Sequence, residues 1–387
     1  MYSDIKKELQ HKIFKVTKKK ASLHEPSLNK SDINEVSKCI KSSFVSTYGK
    51  YVVKFENSLK KYTKSKYVVA TNSGTSALHI ALKLVGVKKN TNVLLPTLSF
   101  VATGNAVIYN NAIPIFLDSS EKTFCIDEKK LESYLNLKTY IFKKKRYSKH
   151  NNKIISAIIV THVFGSTCDM KEIIRIGKKY SIPVVEDCAE GLGSFLRNKH
   201  LGTFGDIGIL SFNGNKIITS GSGGAIVTNS KKKYLEALHL VSVSKVKHEW
   251  KFFHDKLGWN YRMSSLSAAL GYSQLKKIKG LIKKKRILHY NYRKVFKGNK
   301  NFGFIELGSK QYKSNYWLNS IFIKNNMISK DQILNYLSKK GLQCRPIWDL
   351  LHTLPHFKKY KNYDIHGSQK LFEKIILLPS SSNLVKK

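Results

Sequence analysis

The stretch Ser211-Phe-Asn-Gly-Asn-Lys216-Ile-Ile-Thr-Ser-Gly221-Ser-Gly223-Gly224 follows closely on Val184-Val-Glu-Asp187-Cys-Ala-Glu190-Gly-Leu-Gly193. The second segment reads as a short apolar strand that ends on a carboxylate. The first carries a lysine ahead of a glycine-rich loop. Outward from this pair, short apolar runs alternate with amphipathic ones. Residues 67–70, 92–96, 114–117, 154–160 and 183–186 read as buried strands. Residues 76–85, 99–109 and 170–180 read as helices between them, and 32–43 and 52–63 as two helices ahead of the first strand. Such a β-α-β rhythm predicts an α/β fold, with a mostly parallel central sheet and helices on both faces.

In an open parallel sheet, ligands sit beyond the carboxyl ends of the strands. Asp187 stands at such an end, and Lys216 is close to it in the chain. This is the pair that pyridoxal phosphate chemistry needs. The lysine amine condenses with the cofactor aldehyde, and the carboxylate keeps the pyridine nitrogen protonated so that the ring can take up electrons.

The chain has 387 residues, enough for a large core and two domains. A change of character near residue 245 divides it into a larger part, 1–245, and a smaller α/β part, 246–387. In the second part, 264–278 and 279–296 read as helices, 317–324 as a strand and 330–340 as a helix. Residues 138–153 read as an exposed hairpin or loop insertion rich in lysine. No apolar run is long enough to span a bilayer, and the charged first 20 residues lack the apolar stretch of a signal peptide, so the expected location is the cytoplasm without membrane attachment.

The five cysteines are scattered, with no Cys-x-x-Cys pair, which argues against a disulfide framework or zinc site. Cys188 beside Asp187 reads as a small buried filler. The formal net charge is +44, from 69 basic and 25 acidic residues. Only seven of the basic residues are arginine, and the lysines are spread over the whole chain. A reader of nucleic acid would favour arginine and cluster its charge, so compositional bias is the better account and no nucleic-acid partner is expected. The field would still draw in anionic substrates.

Other motifs carry both a chemical and a structural reading. Asn72-Ser-Gly74-Thr75-Ser76 follows a strand and opens a helix, a place where backbone amides and hydroxyls can hold a phosphate or simply cap the helix. It lacks the Gly-Lys-Ser/Thr of a Walker loop and the three-glycine spacing of a dinucleotide site. Glu190 can reach the cofactor's phenolic oxygen, or can be a first-turn helix glutamate favoured by the macrodipole. Phe100 can stack on the pyridine ring or belong to the core. His162 reads as a satisfied core histidine. His352 and His356 lie four apart without an intervening glutamate, so no metal is expected.

Taken in order, these segments resemble the DegT/StrS-type family of pyridoxal-phosphate-dependent sugar aminotransferases. The resemblance runs from Leu23-His-Glu-Pro26 through Phe44-Val-Ser-Thr-Tyr-Gly49, Asn72–Leu78, Leu95-Pro-Thr-Leu-Ser-Phe100 and Gly202-Thr-Phe-Gly-Asp206. It continues through Ser211–Lys216 and Gly258-Trp-Asn260-Tyr-Arg262 to Arg345-Pro-Ile-Trp348 and His352. The resemblance implies an aspartate-aminotransferase-like fold of type I and a homodimer with shared active sites. It also implies an amino-acid donor, glutamate for instance, and a nucleotide-sugar acceptor. The fine pattern is most similar to the subgroup that aminates C4 of UDP-linked 2-acetamido-4-keto-6-deoxy sugars for surface glycans. Residue by residue, it makes Lys216 the Schiff-base lysine and Asp187 the partner of the pyridine nitrogen. Gly74, Thr75, Ser76 and Ser211 become phosphate contacts, Asn260 reaches the phosphate in the neighbouring subunit, and Arg345 and His352 are candidates for substrate contact. Glu190 and Ser222 depart from the family's usual residues, and the chain ends soon after Asn383, which would loosen the smaller domain. A dehydratase on the same fold would lack Lys216. A non-catalytic regulator or nucleic-acid-associated protein would have no need of Lys216 with Asp187.

Overall fold

In the computed structural model, which describes residues 2–308, 311–325 and 328–385, an eight-stranded sheet forms the centre of the molecule. Its spatial order is Tyr67–Thr71, Gly224–Thr228, Ile207–Ser211, Val184–Asp187, Ile155–Thr161, Asn92–Pro96, Ile113–Leu117 and Asn362–Tyr363. Only Gly224–Thr228 runs antiparallel to its neighbours; every other pairing is parallel. The mostly parallel α/β architecture expected from the sequence is the one observed.

Two-residue periodicity distributes each strand's side chains over two faces. Ala157 and Ile159 join Leu78, Ala81 and Ala106 from the helices Gly74–Leu84 and Val101–Tyr109. Ile158 and Val160 join Leu131, Ile173 and Ile176 from the helices Glu128–Leu137 and Met170–Lys179 on the other face. All of these side chains are fully buried or nearly so, the pattern of a sheet covered on both sides.

The small residues of the helix Ser265–Lys276 have a packing reason. A Cβ on Gly271 would stand 2.8 Å from the Phe55 ring, so this helix lies against Lys50–Thr63 closer than a larger residue permits. A second, antiparallel sheet has the order Phe302–Phe304, Asn319–Ile323, Ile375–Leu378, Arg345–Pro346. Helix Tyr2–Thr17 packs here: Ile5, Leu9 and Ile13 share a core with Leu288, Tyr292 and Ile321. Conversely, Asn362–Tyr363 adds a strand to the large sheet. Residues from both ends of the chain therefore contribute to both layers. Residues 138–153 form the hairpin Thr139–Phe142/Lys145–Ser148, with Ile141 and Phe142 exposed near its tip. All five cysteines are free and buried, and no described helix is long and apolar enough to cross a membrane.

Candidate active site

Three parallel strands end on residues that line one cavity of about 250 Å³: Thr161, Asp187 and Ser211. The helix Gly74–Leu84 points its N-terminus into the same space, with Ser73, Gly74 and Thr75 in the wall. The Ser73 side chain accepts from the amide of Ser76 at 3.0 Å, the expected N-cap. Lys216 enters from the loop after Ser211, and Phe100, half exposed, stands at the opposite wall.

Asp187 is buried and held from two sides. The Thr103 hydroxyl donates to its Oδ2 at 2.7 Å and the Ala189 amide to its Oδ1 at 3.2 Å. Ser99 donates in turn to Thr103 at 2.6 Å, so a buried relay fixes the carboxylate's direction. Glu190 lies in a turn after the strand, not in a helix, which removes the first-turn helical reading. Its carboxylate accepts from the Phe164 amide at 2.7 Å and from Lys216 Nζ at 3.3 Å. Burial pushes the Glu190 carboxyl up to about 7, against the pull of the Lys216 charge. Phe164 offers its amide by adopting φ of 54°, a left-handed conformation that a bulky residue rarely takes. The Lys216 ammonium also lies 4.0 Å from the centre of the Trp317 ring.

Beneath this layer His162 is wholly buried against Glu186 at 3.0 Å. Burial pulls His162 down, but its neighbours Cys125 and Glu186 prevail and raise it to about 9. Glu186 also accepts from the amides of Gly202, Phe204 and Gly205. His162 is thus a core histidine, as its strand-end position suggested, but only its Nε2 is paired; the buried Nδ1 has no hydrogen-bond partner among the described residues.

A second cavity of about 510 Å³ adjoins the first through shared walls of Phe100, Asn215, Trp317 and Trp348. His24 and Arg345 line it. His352 lines neither cavity; its Nδ1 lies 2.7 Å from the Thr97 hydroxyl. Ser76 is also absent from the lining. Its hydroxyl donates to Asn72 Oδ1 at 2.6 Å, and Ser73 takes the place at the wall. Asn260 is exposed and outside both cavities of its own chain. The Tyr261 carbonyl next to it accepts from the Asn72 amide at 2.8 Å, just ahead of the helix Gly74–Leu84, and Arg262 grips Glu56 of the helix Lys50–Thr63 at 2.5 and 3.1 Å.

Residues 26–387 match the model of the DegT/DnrJ/EryC1/StrS aminotransferase family. The chain belongs to this family. A GDP-perosamine synthase of Escherichia coli O157:H7 is 34% identical over 363 residues, 94% of this chain and 93% of that one. A UDP-4-amino-4,6-dideoxy-N-acetyl-beta-L-altrosamine transaminase of Campylobacter jejuni is 32% identical, covering 86% of this chain and 84% of its own. The solved structure of Helicobacter pylori PseC, an aminotransferase involved in the biosynthesis of pseudoaminic acid, superposes with a TM-score of 0.86 at 25% identity over 95% of both chains.

The protein is therefore an aminotransferase, and its family depends on pyridoxal phosphate. The cavity fits that cofactor by its donor set, because a lysine amine and a buried, doubly hydrogen-bonded carboxylate face the same space. The phosphate-facing end fits as well. A Cβ on Gly74 would stand 2.9 Å from Ser211 Cβ, so glycine keeps the helix N-terminus and Ser211 together. Among the described residues no cluster of His, Cys, Asp or Glu could hold a metal.

Sequence reasoning missed Thr103, Thr161, Asn215, Trp317 and Trp348 as wall or relay residues. Thr103 had a signal, standing one helical turn beyond Ser99 near a strand end. Trp317 had none, because its contact with Lys216 spans about a hundred residues of chain and depends on how the second sheet docks.

Proposed function

We propose that this aminotransferase moves an amino group from an amino acid, L-glutamate, to the C4 keto group of a nucleotide-linked 4-keto-6-deoxy sugar. The observation that carries the reading is the convergence of Lys216, Asp187 and the N-terminus of Gly74–Leu84 on one cavity that adjoins a second, larger one. The first accommodates the cofactor and the reacting carbon, and the second the rest of a bulky acceptor. The names of the two enzyme relatives, one GDP-linked and one UDP-linked, support a nucleotide sugar as that acceptor. The sequence pattern favours the UDP-2-acetamido type, made for a surface glycan.

When bound, pyridoxal phosphate supplies an aldehyde for amine exchange and a ring that takes up the electron pair released at the donor's α-carbon. Lys216 Nζ is the group that accepts the α-proton and returns it on the other side of the exchange. Asp187, aligned by Thr103, holds a proton on the ring nitrogen. Gly74, Thr75 and Ser211 hold the phosphate with backbone amides and hydroxyls. Phe100 covers the ring face, and Arg345 contributes charge to the acceptor's cavity. Ser76 acts one step back, through Ser73 and Asn72.

Asn260 serves the cavity of a second copy in a homodimer. The apolar side chains beside it support this: Trp250, Phe252 and Leu257 are more than two-thirds exposed in the single chain, an unusual amount of bare apolar surface. The test is a panel of UDP-, GDP- and dTDP-linked 4-keto sugars with glutamate, read by mass spectrometry. One acceptor should gain an amino group with wild type and none with Lys216→Ala. Lys216→Ala should also lose the borohydride-reducible visible absorbance of the purified protein. Failure of wild type to bind pyridoxal phosphate at saturation would end this reading.

A further inference from the structure

Lys285 is anomalous in this chain. The other lysines spread charge over the surface, whereas Lys285, in the helix Ile278–Phe296, is wholly buried. Among the described residues no carboxylate pairs with it. Its ammonium donates to the carbonyl of Trp317 at 2.6 Å and to the carbonyl of Ser380. Burial holds it well below the usual lysine range. An apolar side chain of similar volume would leave both carbonyls without a donor, so the amine's part is to tie these two segments together.

Its two partners show what it does. Trp317 lies two residues before the strand Asn319–Ile323, and Ser380 two residues after Ile375–Leu378, the strand paired with it. Lys285 therefore pins the end of that strand pair which faces the active site. From there Trp317 reaches into both cavities. Its indole N–H donates to the Asn215 carbonyl at 2.7 Å, one residue before Lys216, and its ring face meets the Lys216 ammonium at 4.0 Å. Asn315, two residues earlier, donates to the carbonyls of Glu190 at 2.7 Å and Leu192 at 2.9 Å, and its side chain accepts from the Trp317 amide at 2.9 Å. The segment 315–317 is thus fastened at Lys285, at the Glu190 turn and at the Lys216 loop. The reactive amine lies between the Glu190 carboxylate and the indole.

We infer that Trp317 is a positioning residue for Lys216, and that Lys285 acts at one remove by fixing Trp317. The consequence is that the docking of the second sheet sets the direction of the amine. This inference rests on the proposed role of Lys216 as the reactive amine. It extends that role to two residues outside the cofactor's own contacts.

The test uses the holoenzyme and the variants Lys285→Met, Trp317→Leu, Trp317→Phe and the double Lys285→Met/Trp317→Leu. Lys285→Met should melt somewhat below wild type, because two buried carbonyls lose their donor, but should fold and retain its cofactor. Its turnover should nevertheless fall roughly 10- to 100-fold, the range for misplaced reacting groups, with KM for the amino donor close to wild type. The pH midpoint of the holoenzyme's visible absorbance should move in the same direction in Lys285→Met and Trp317→Leu. The double variant should be no slower than Trp317→Leu, because both changes break one linkage. Trp317→Phe keeps a ring face but loses the bond to Asn215, and should fall between wild type and Trp317→Leu. A Lys285→Met enzyme with wild-type turnover and pH midpoint would overturn the inference, as would losses that multiply in the double variant. If Lys285→Met does not fold, the two Trp317 variants decide alone: wild-type turnover and midpoint in both would overturn it. The Lys216→Ala holoenzyme separates the two levels. If it keeps a borohydride-reducible absorbance, the functional reading has failed; if it loses it while the Lys285 and Trp317 variants behave as wild type, only this inference has.

Discussion

At the scale of single residues, the site brings two carboxylates, Asp187 and Glu190, to one cavity beside a single lysine amine. They are kept distinct by their surroundings. Asp187 receives a hydroxyl and an amide, whereas Glu190 is buried with one amide and the more distant Lys216 ammonium. The repulsion that two anions would bring is relieved because Glu190 holds a proton up to about 7. This has a measurable consequence for stability. An unfolded glutamate releases its proton near 4.5 and the folded one near 7, so between these values the native state binds the extra proton. Stability contributed by this group is therefore present below about 4.5 and is lost as pH rises through about 7. Glutamine mimics the neutral acid at every pH. In cofactor-free protein, Glu190→Gln should match wild type near pH 4.5 and exceed it at pH 8 by up to about 3 kcal/mol. Denaturant melts at the two pH values measure the difference. An equal gap at both would mean that Glu190 titrates alike in the folded and unfolded chain.

At the scale of elements, the active site is an arrangement of termini: three strand ends, one helix N-terminus and the loop after Ser211. Gly74 is the element joint where geometry and propensity oppose each other. Alanine at the first turn of a helix improves intrinsic propensity by up to about 1 kcal/mol. Here its Cβ would stand 2.9 Å from Ser211 Cβ and 3.1 Å from Ser211 Oγ, and one of the two elements must give way. The effects nearly cancel in the fold but not in the site. Gly74→Ala should leave the melting temperature of the cofactor-free protein within a few degrees of wild type. Its affinity for pyridoxal phosphate should fall at least about tenfold, a loss of ~1.4 kcal/mol. Absorbance titration gives the affinity, and unchanged binding would show that the helix N-terminus does not hold the phosphate. Part of this was legible in the sequence: Ile155–Thr161 and Val184–Asp187 are mostly apolar, and the helices Gly74–Leu84 and Met170–Lys179 have Ser73 and Asp169 as N-caps, whereas Val101–Tyr109 has Phe100 there. The helix before residue 20 was not read, although Ile5, Leu9 and Ile13 repeat every four residues, since charge dominates that stretch and its buried face is supplied by the far end of the chain. Ile207–Ser211 and Gly224–Thr228 are short strands flanking a glycine-rich loop, whose turn signals mask them in the sequence. What could not be read at all is contact across distant elements. Trp317 over Lys216, Asn315 on the Glu190 turn and Lys285 under Trp317 all depend on the docking of the second sheet, which leaves no local pattern.

At the scale of the whole molecule, the proposed sharing of Asn260 between copies places one determinant of each site on the other chain. In a single chain Asn260 is exposed, while Arg262, held by Glu56, and the Tyr261 carbonyl, held by the Asn72 amide, anchor its backbone. The segment is tied to its own chain while the Asn260 side chain is exposed, as the proposed two-fold sharing requires. Complementation follows from this geometry. A protomer carrying Lys216→Ala still offers its Asn260, and a protomer carrying Asn260→Ala still offers its Lys216. When the two are unfolded and refolded together, about half of the dimers pair unlike chains, and each mixed dimer rebuilds one intact site of two. The mixture should regain roughly a quarter of wild-type amino transfer above the residual activity of Asn260→Ala alone. Sedimentation should show dimers throughout, and wild type at low micromolar concentration should not sediment as a monomer. If the mixture gains nothing while both variants are dimeric and folded, Lys216 and Asn260 serve the same chain, and the exposed Trp250, Phe252 and Leu257 cover some surface other than a shared site.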